Sequence, residues 1–202
     1  MIIIIALLAV LVPLGVIEMR NYIGRLKLQQ EDQLEALSHS DSVTGVASRL
    51  TWDAEVPREL SRSSRENSPM CLALVEIDGM KSYVHENGAE GARRFLKSAT
   101  AKWVECLRAS DLLARYTRDD FGVLLPGCDI DKASTVINRL CAATPEGRTC
   151  SAGVTHWDES EPASVLVERA ERALKEAQDA GRNRVVVVEA PRTAPTDASS
   201  ST

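Results

Sequence analysis

The chain has 202 residues, 44% of them hydrophobic, which gives room for one well-cored domain plus short extensions. Its net charge of −5 argues against a general nucleic-acid binder, which carries a basic excess, so no nucleic acid is expected as a partner. Five cysteines (71, 106, 128, 141 and 150) show no CxxC or metal-ligand spacing and mostly sit in apolar runs, as buried free thiols of a reducing compartment do. The three histidines, at 39, 85 and 156, are too scattered for a zinc site or a histidine-based triad.

Met1 to Ile17 is almost wholly apolar, broken only by Pro13 and Gly15, and is at the short end of what spans a bilayer. It predicts one transmembrane helix over residues 1–19. A cleaved signal peptide is the rival reading, against which stand the lack of a basic residue before the run and of a clean small-x-small site after it. Arg20, Arg25 and Lys27 follow at once. The positive-inside rule therefore places the protein in the inner (cytoplasmic) membrane as a single-pass chain with its C-terminal part in the cytoplasm. Residues 20–39 carry Tyr22, Ile23, Leu26, Leu34 and Leu37 at roughly helical intervals and read as a helical stalk, either solvated or paired with a second copy as a short coiled coil.

Asp41 to Leu50, DSVTGVASRL, reads as a turn in which Asp41 and Thr44 cap, Gly45 permits positive φ, and a helix starts near Ala47 and runs to about Arg62. After a polar loop, CLALVEID (Cys71 to Asp78) is a continuous apolar run ending in acids. Such a run predicts a buried strand that delivers Glu76 and Asp78 to its C-terminal end, the usual place for an α/β active site; two surface acids at a strand end is the alternative. Glu90 to Leu107 has Ala92, Phe95, Leu96, Ala99, Trp103 and Leu107 on one helical stripe.

In Arg108 to Gly127, RASDLLARYTRDDFGVLLPG, two apolar strands flank a tight hairpin of Thr117, Arg118, Asp119 and Asp120. Adjacent carboxylates at its tip repel unless Arg115, Arg118 or a hard divalent cation offsets them. A helix over Asp129 to Ala143, the strand TCSAGVTHW, a helix opened by Pro162 and stopped by Gly181, and a strand over Asn183 to Val188 complete a domain spanning 40–188. The tail, 189–202, is Pro, Thr, Ser and Ala and reads as disorder.

The hairpin RYTRDDF resembles the signature of the GGDEF family, the diguanylate cyclases of cyclic di-GMP signalling, near RYGGDEF. Arg115, Tyr116 and Phe121 match, and Thr117 and Arg118 replace the glycines. DSVTGVASRL resembles DxLTGLxNR, with Asp41, Thr44, Gly45 and Arg49 in register and Ser48 for asparagine. Glu76 to Lys81 resembles DxDxFK, with Glu76 for the first aspartate. RALKEAQDAGRNR resembles ALYxAKxxGRN, with Gly181, Arg182 and Asn183 kept and Gln178 where the family has a phosphate-contacting lysine.

This resemblance covers about residues 40 to 187 and implies an α/β fold, a central mostly antiparallel sheet flanked by helices, like the palm of nucleotidyl cyclases and polymerases. It implies catalytic positions at Asp119, Asp120 and Arg182, and Mg2+ held by Glu76, the main-chain carbonyl of Ile77, and Asp119. Val84 and Arg93 fall where the family reads guanine with asparagine and aspartate; valine offers no hydrogen bond and arginine accepts none. Arg108 and Asp111 resemble the RxxD of the family's inhibitory cyclic di-GMP site. The bland alternative is a structural corner, with Arg108 answering a helix dipole and Asp111 shaping the turn. Two functions follow from the resemblance. In one, a catalytically inactive, membrane-anchored module binds cyclic di-GMP through Arg108 and Asp111 or engages other signalling proteins, as a homodimer or otherwise. In the other, a cyclase condenses two GTP with weak or altered activity. Thr117, Arg118, Val84 and Arg93 all alter the GTP pocket and favour the first.

Overall fold

The computed structural model describes residues 39–190 together with Met19. The rest of the expected membrane helix and stalk, and the tail beyond residue 190, lie outside the described residues. Among the described residues no helix is long and apolar enough to cross a membrane.

Ser48 caps the first helix, α1 (Arg49–Glu66), its hydroxyl accepting from the Thr51 N–H at 3.3 Å. The helix carries Pro57 in its interior and runs past the expected end near Arg62 to a left-handed Asn67. Strand β1 (Met70–Ile77) follows, apolar at every position but Glu76. Its alternate residues serve two cores. Cys71, Ala73, Val75 and Ile77 join one cluster, and Met70, Leu72 and Leu74 join the other, which is why the run shows no polar alternation.

Helix α2 (Met80–Glu105) begins ten residues before the amphipathic stripe does, and its path leaves the helix at Gly88, at φ 70° and ψ 174°. The early part is polar on most sides, so its period is hidden in the sequence. Strands β2 (Leu112–Arg115) and β3 (Asp120–Pro126), helix α3 (Ile130–Ala142), strand β4 (Cys150–His156), helix α4 (Ala163–Asp179) and strand β5 (Arg184–Val187) complete the domain. Asp129 caps α3, accepting from the Lys132 N–H at 2.9 Å.

The sheet order is β2-β3-β1-β4-β5, antiparallel throughout except for the parallel pair β4 and β5. It is thus a mixed sheet with helices on both faces, in line with the expected mostly antiparallel α/β arrangement. One core sets Phe95, Trp103, Ile137 and Leu140 against the sheet; the other sets Trp52, Val56, Leu166 and Leu174 there. Close approach demands glycine where a Cβ on Gly153 would lie 2.2 Å from the Leu174 backbone nitrogen, so α4 rests directly on β4. All five cysteines are free; Cys71, Cys128 and Cys150 are buried, and Cys106 and Cys141 only partly so.

Candidate functional site

Because β1 and β3 run antiparallel with Glu76 opposite Asp120, the last acid of one strand and the first residue of the other meet at the same end of the sheet. Around the hairpin tip, the Tyr116 and Thr117 N–H groups donate to the Asp120 carbonyl at 2.9 and 3.1 Å. The Thr117 hydroxyl donates to the Asp120 carboxylate at 2.8 Å and accepts from the Asp119 and Asp120 N–H groups at 3.3 and 3.1 Å. None of Thr117, Arg118 and Asp119 takes positive φ, which is how this tip closes without the glycines of the motif it resembles.

Behind the tip, Arg115 donates to the Arg118 carbonyl at 2.8 and 3.2 Å and pairs with Asp41 at 3.1 Å, with both side chains mostly buried. The entry segment is held to the edge of the sheet by the same neighbourhood. The Ala47 N–H donates to the Leu113 carbonyl at 3.1 Å, and the Arg115 N–H donates to the Ala47 carbonyl at 2.8 Å.

In front of the tip lies a cleft of about 470 Å³ lined by Glu76, Gly79, Met80, Lys81, Thr117, Asp119, Asp120 and Arg182. The Glu76 carboxylate is half-buried and accepts from the Gln178 side-chain amide. Burial first, and then the Asp120 carboxylate beside it, push the Glu76 carboxyl above the usual range, with Arg182 opposing. Gly181, Arg182 and Asn183 all take positive φ (107°, 61° and 50°), a strained turn that brings Arg182 to the cleft.

Asp78 holds that turn. It is buried, and accepts from the Thr149 and Ser151 hydroxyls at 2.6 and 2.7 Å and from the Asn183 N–H at 3.1 Å, with the Arg182 Nε at 4.0 Å. It therefore joins β1, the start of β4 and the turn before β5, and does not line the cleft.

The structure thus brings Glu76, Asp119, Asp120 and Arg182 to one cleft, and the carboxylate directly across from Glu76 is that of Asp120. Ile77 is a buried core side chain in register with Cys150 and is not among the residues that line the cleft. Val84 packs against the core and Arg93 is exposed. Lys81 and Gln178 belong to the site as well. Lys81 had a signal, a cation just after the acidic strand end. Asp78 had none beyond being an acid there, because its partners lie 71 to 105 residues away in the chain.

Arg108 and Asp111 form a separate corner. The Arg108 N–H donates to the Asp111 carboxylate at 2.8 Å, the Asp111 N–H to the Arg108 carbonyl at 3.0 Å, and the Ser110 hydroxyl to Asp111 at 3.3 Å. Asp111 does shape the turn. The side chain that bonds the Cys106 carbonyl at the C-terminus of α2 is Arg139, not Arg108, which is exposed.

Among the described residues no three His, Cys, Asp or Glu side chains form a ready cluster for a metal ion. The carboxylates that line the cleft, Glu76, Asp119 and Asp120, are hard oxygen donors that suit magnesium, and a cation would relieve the like-charged pair of Glu76 and Asp120. Those groups would hold it, and it would neutralise charge on a bound phosphate.

The family model described as "Diguanylate cyclase, GGDEF domain" matches residues 38–184. The chain is 30% identical over 167 residues to the diguanylate cyclase DgcP of Pseudomonas aeruginosa, covering 78% of this chain and 25% of that protein. It is 27% identical to the probable diguanylate cyclase DgcE of Escherichia coli K12, covering 88% of this chain and 18% of the relative. The chain thus spans about a quarter or less of these curated relatives.

Among solved structures, the GGDEF domain of DgcB from Caulobacter crescentus in complex with c-di-GMP superposes with a TM-score of 0.70 at 21% identity, over 74% of this chain and 92% of that one. The diguanylate cyclase SiaD of Pseudomonas aeruginosa, in complex with its activator SiaC, superposes with a TM-score of 0.71 at 26% identity, over 86% of this chain and 71% of that one. With the family model matching residues 38–184 and the fold superposing on solved GGDEF domains, the chain belongs to the GGDEF domain family.

Proposed function

We propose that this chain is a GGDEF module of cyclic di-GMP signalling that makes no cyclic di-GMP itself and binds it at the Arg108–Asp111 corner. Residues 1–19 tether it to the inner membrane with the domain on the cytoplasmic side, and residues 20–39 pair it with a second copy or with another signalling protein.

The observation that carries the silent reading is the state of the cleft. Glu76 is engaged by Gln178, and, outside the residues that line the cleft, the two positions that would read guanine are a core-packed Val84 and an exposed Arg93. Two lost base contacts at roughly 1 to 3 kcal/mol each weaken GTP recognition by about one to four orders of magnitude. The corner supports binding because the Arg108 fork is exposed and suits the O6 and N7 edge of guanine, while a carboxylate has lone pairs to spare beyond the local bonds of Asp111. A single arginine and one carboxylate make a small footprint, so affinity should rise with dimerisation.

Isothermal titration of the full chain with cyclic di-GMP tests this: the wild type and Asp119→Ala bind, and Arg108→Ala does not. No heat from the wild type at high ligand concentration reduces Arg108–Asp111 to a structural corner. The second reading, a weak cyclase, is favoured by Lys81 and Arg182 standing in the cleft beside three carboxylates. It requires GTP turnover with magnesium or manganese that Asp119→Ala abolishes.

A further inference from the structure

Resting on the reading of the cleft as a GGDEF-type site for a divalent cation, we propose that Gln178 sets the cleft's affinity for that cation by competing with it for the Glu76 carboxylate. Gln178 sits in the last turn of α4, 102 residues from Glu76 in sequence, and its amide donates to the Glu76 carboxylate in a partly buried contact. Glu76 faces Asp120 across the strands, and Arg182, the guanidinium that opposes this repulsion, also leans on Asp78 at 4.0 Å.

The amide stabilises the Glu76 carboxylate as a neutral donor. It leaves the acidic charge of the cleft unneutralised and occupies an oxygen that a cation would need. A cation that takes Glu76 through that oxygen displaces the Gln178 amide, and one that takes the other oxygen shares the carboxylate's charge with it; hydrogen bonds to charged groups are the stronger class. The same contact pins the C-terminal end of α4 to the C-terminal end of β1, so displacement also frees the segment leading to the strained turn at Arg182. Gln178 is a positioning residue in this account, acting on the cation through Glu76.

The test is a titration of the full chain, in mild detergent, with Mn2+ followed by electron paramagnetic resonance of the free aqueous ion. Gln178→Ala should bind Mn2+ roughly tenfold more tightly than the wild type, in line with the loss of one charge-assisted hydrogen bond. Gln178→Met, close in shape and without a donor, should do the same and guards against a cavity effect. Gln178→Lys, whose ammonium pairs with Glu76, should bind more weakly than the wild type. Adding Glu76→Gln to Gln178→Ala should cancel the gain. Equal Mn2+ affinity in wild type, Gln178→Ala and Gln178→Met overturns the inference and leaves the cation reading of the cleft standing, as does a gain that survives Glu76→Gln. Absence of Mn2+ binding in every variant overturns both.

Discussion

Behind the hairpin, Arg115 reaches both Asp41 and the Arg118 carbonyl, and Arg49 lies 3.9 Å from the centroid of the Tyr116 ring; in front of it, the Glu76 carboxylate receives the neutral amide of Gln178. The rear face is fastened by charge and aromatic contact. Tyr116 donates to Glu171 at 2.9 Å and meets Trp52 edge to face at 5.9 Å. Val84, Arg93 and Gln178 stand where the resemblance implies groups that contact GTP, and of the three it is Gln178 that touches a residue of the cleft. What shapes the hairpin is thus separate from what would use it, and a chain can keep the first while losing the second.

The largest expected effect strikes the rear. Trp52 is 1% exposed and lies over Gly122, where a Cβ would come within 2.5 Å of its ring. Trp52→Ala should destabilise the domain by about 3 to 5 kcal/mol, read as a shift in urea midpoint at constant slope. A loss below about 1 kcal/mol would mean that the indole does not hold α1 to the sheet.

Next is the pair of Arg115 and Asp41, whose side chains are 14% and 12% exposed. Breaking it from one side strands a mostly buried charge, and Arg115→Ala or Asp41→Ala should each cost about 3 kcal/mol. The double variant should cost clearly less than the sum, by the logic of a double-mutant cycle. Additive losses would show that the two residues act apart, and the entry segment would no longer be tied to the hairpin through this contact.

These two predictions also mark where the sequence was informative. The unbroken apolar run of β1, the hairpin about Thr117 to Asp120 and the order of elements were legible because each depends on neighbours in the chain or on a repeated period. The ties that finish the site were not. Gln178 meets Glu76 and Asp78 meets Asn183 across 102 and 105 residues, and neither contact leaves a local pattern. The start of α2 at Met80 was hidden for a different reason, since the kink at Gly88 resets the helical phase and leaves the first turns without a clean stripe. The hairpin closes where the alternation of apolar strands and polar tip places it, and what the sequence does not show is the means: Thr117 supplies hydrogen bonds that let ordinary backbone angles close it.

A smaller effect belongs to the front face and depends on pH. The Glu76 carboxyl is raised above its ordinary value by burial and then by Asp120, so the folded state holds its proton longer than the unfolded chain does. Below the unfolded value, 4.5, both states carry the proton and the site has no net effect. As pH rises from there through the folded value, the unfolded state sheds the proton first and the folded state loses stability. Glu76→Gln removes that loss. Thermal melts of both proteins from pH 4 to 8 should therefore diverge with rising pH, the variant gaining on the wild type. Parallel curves would mean that Asp120 and burial do not act on Glu76 in solution.

The smallest effect expected on activity is none at all, and it separates the two faces most sharply. Replacing Thr117 and Arg118 together by glycine restores the hairpin to the motif it resembles, and by motif alone GTP turnover should appear. The structure gives three reasons against it. Val84 remains packed against the core, Arg93 remains exposed, and Gln178 remains on Glu76, so base recognition and the cleft's cation are no better served than before. The change also removes the Thr117 hydroxyl that orients Asp120 and steadies the tip, and two glycines add chain freedom to the unfolded state. The double variant should thus lose about 1 to 2 kcal/mol of stability, from one cap and two backbone positions, and form no detectable cyclic di-GMP from GTP with magnesium or manganese. Turnover restored by the two glycines alone would place the defect in the hairpin tip, and the silent reading would then rest on Thr117 and Arg118 rather than on the cleft that faces them.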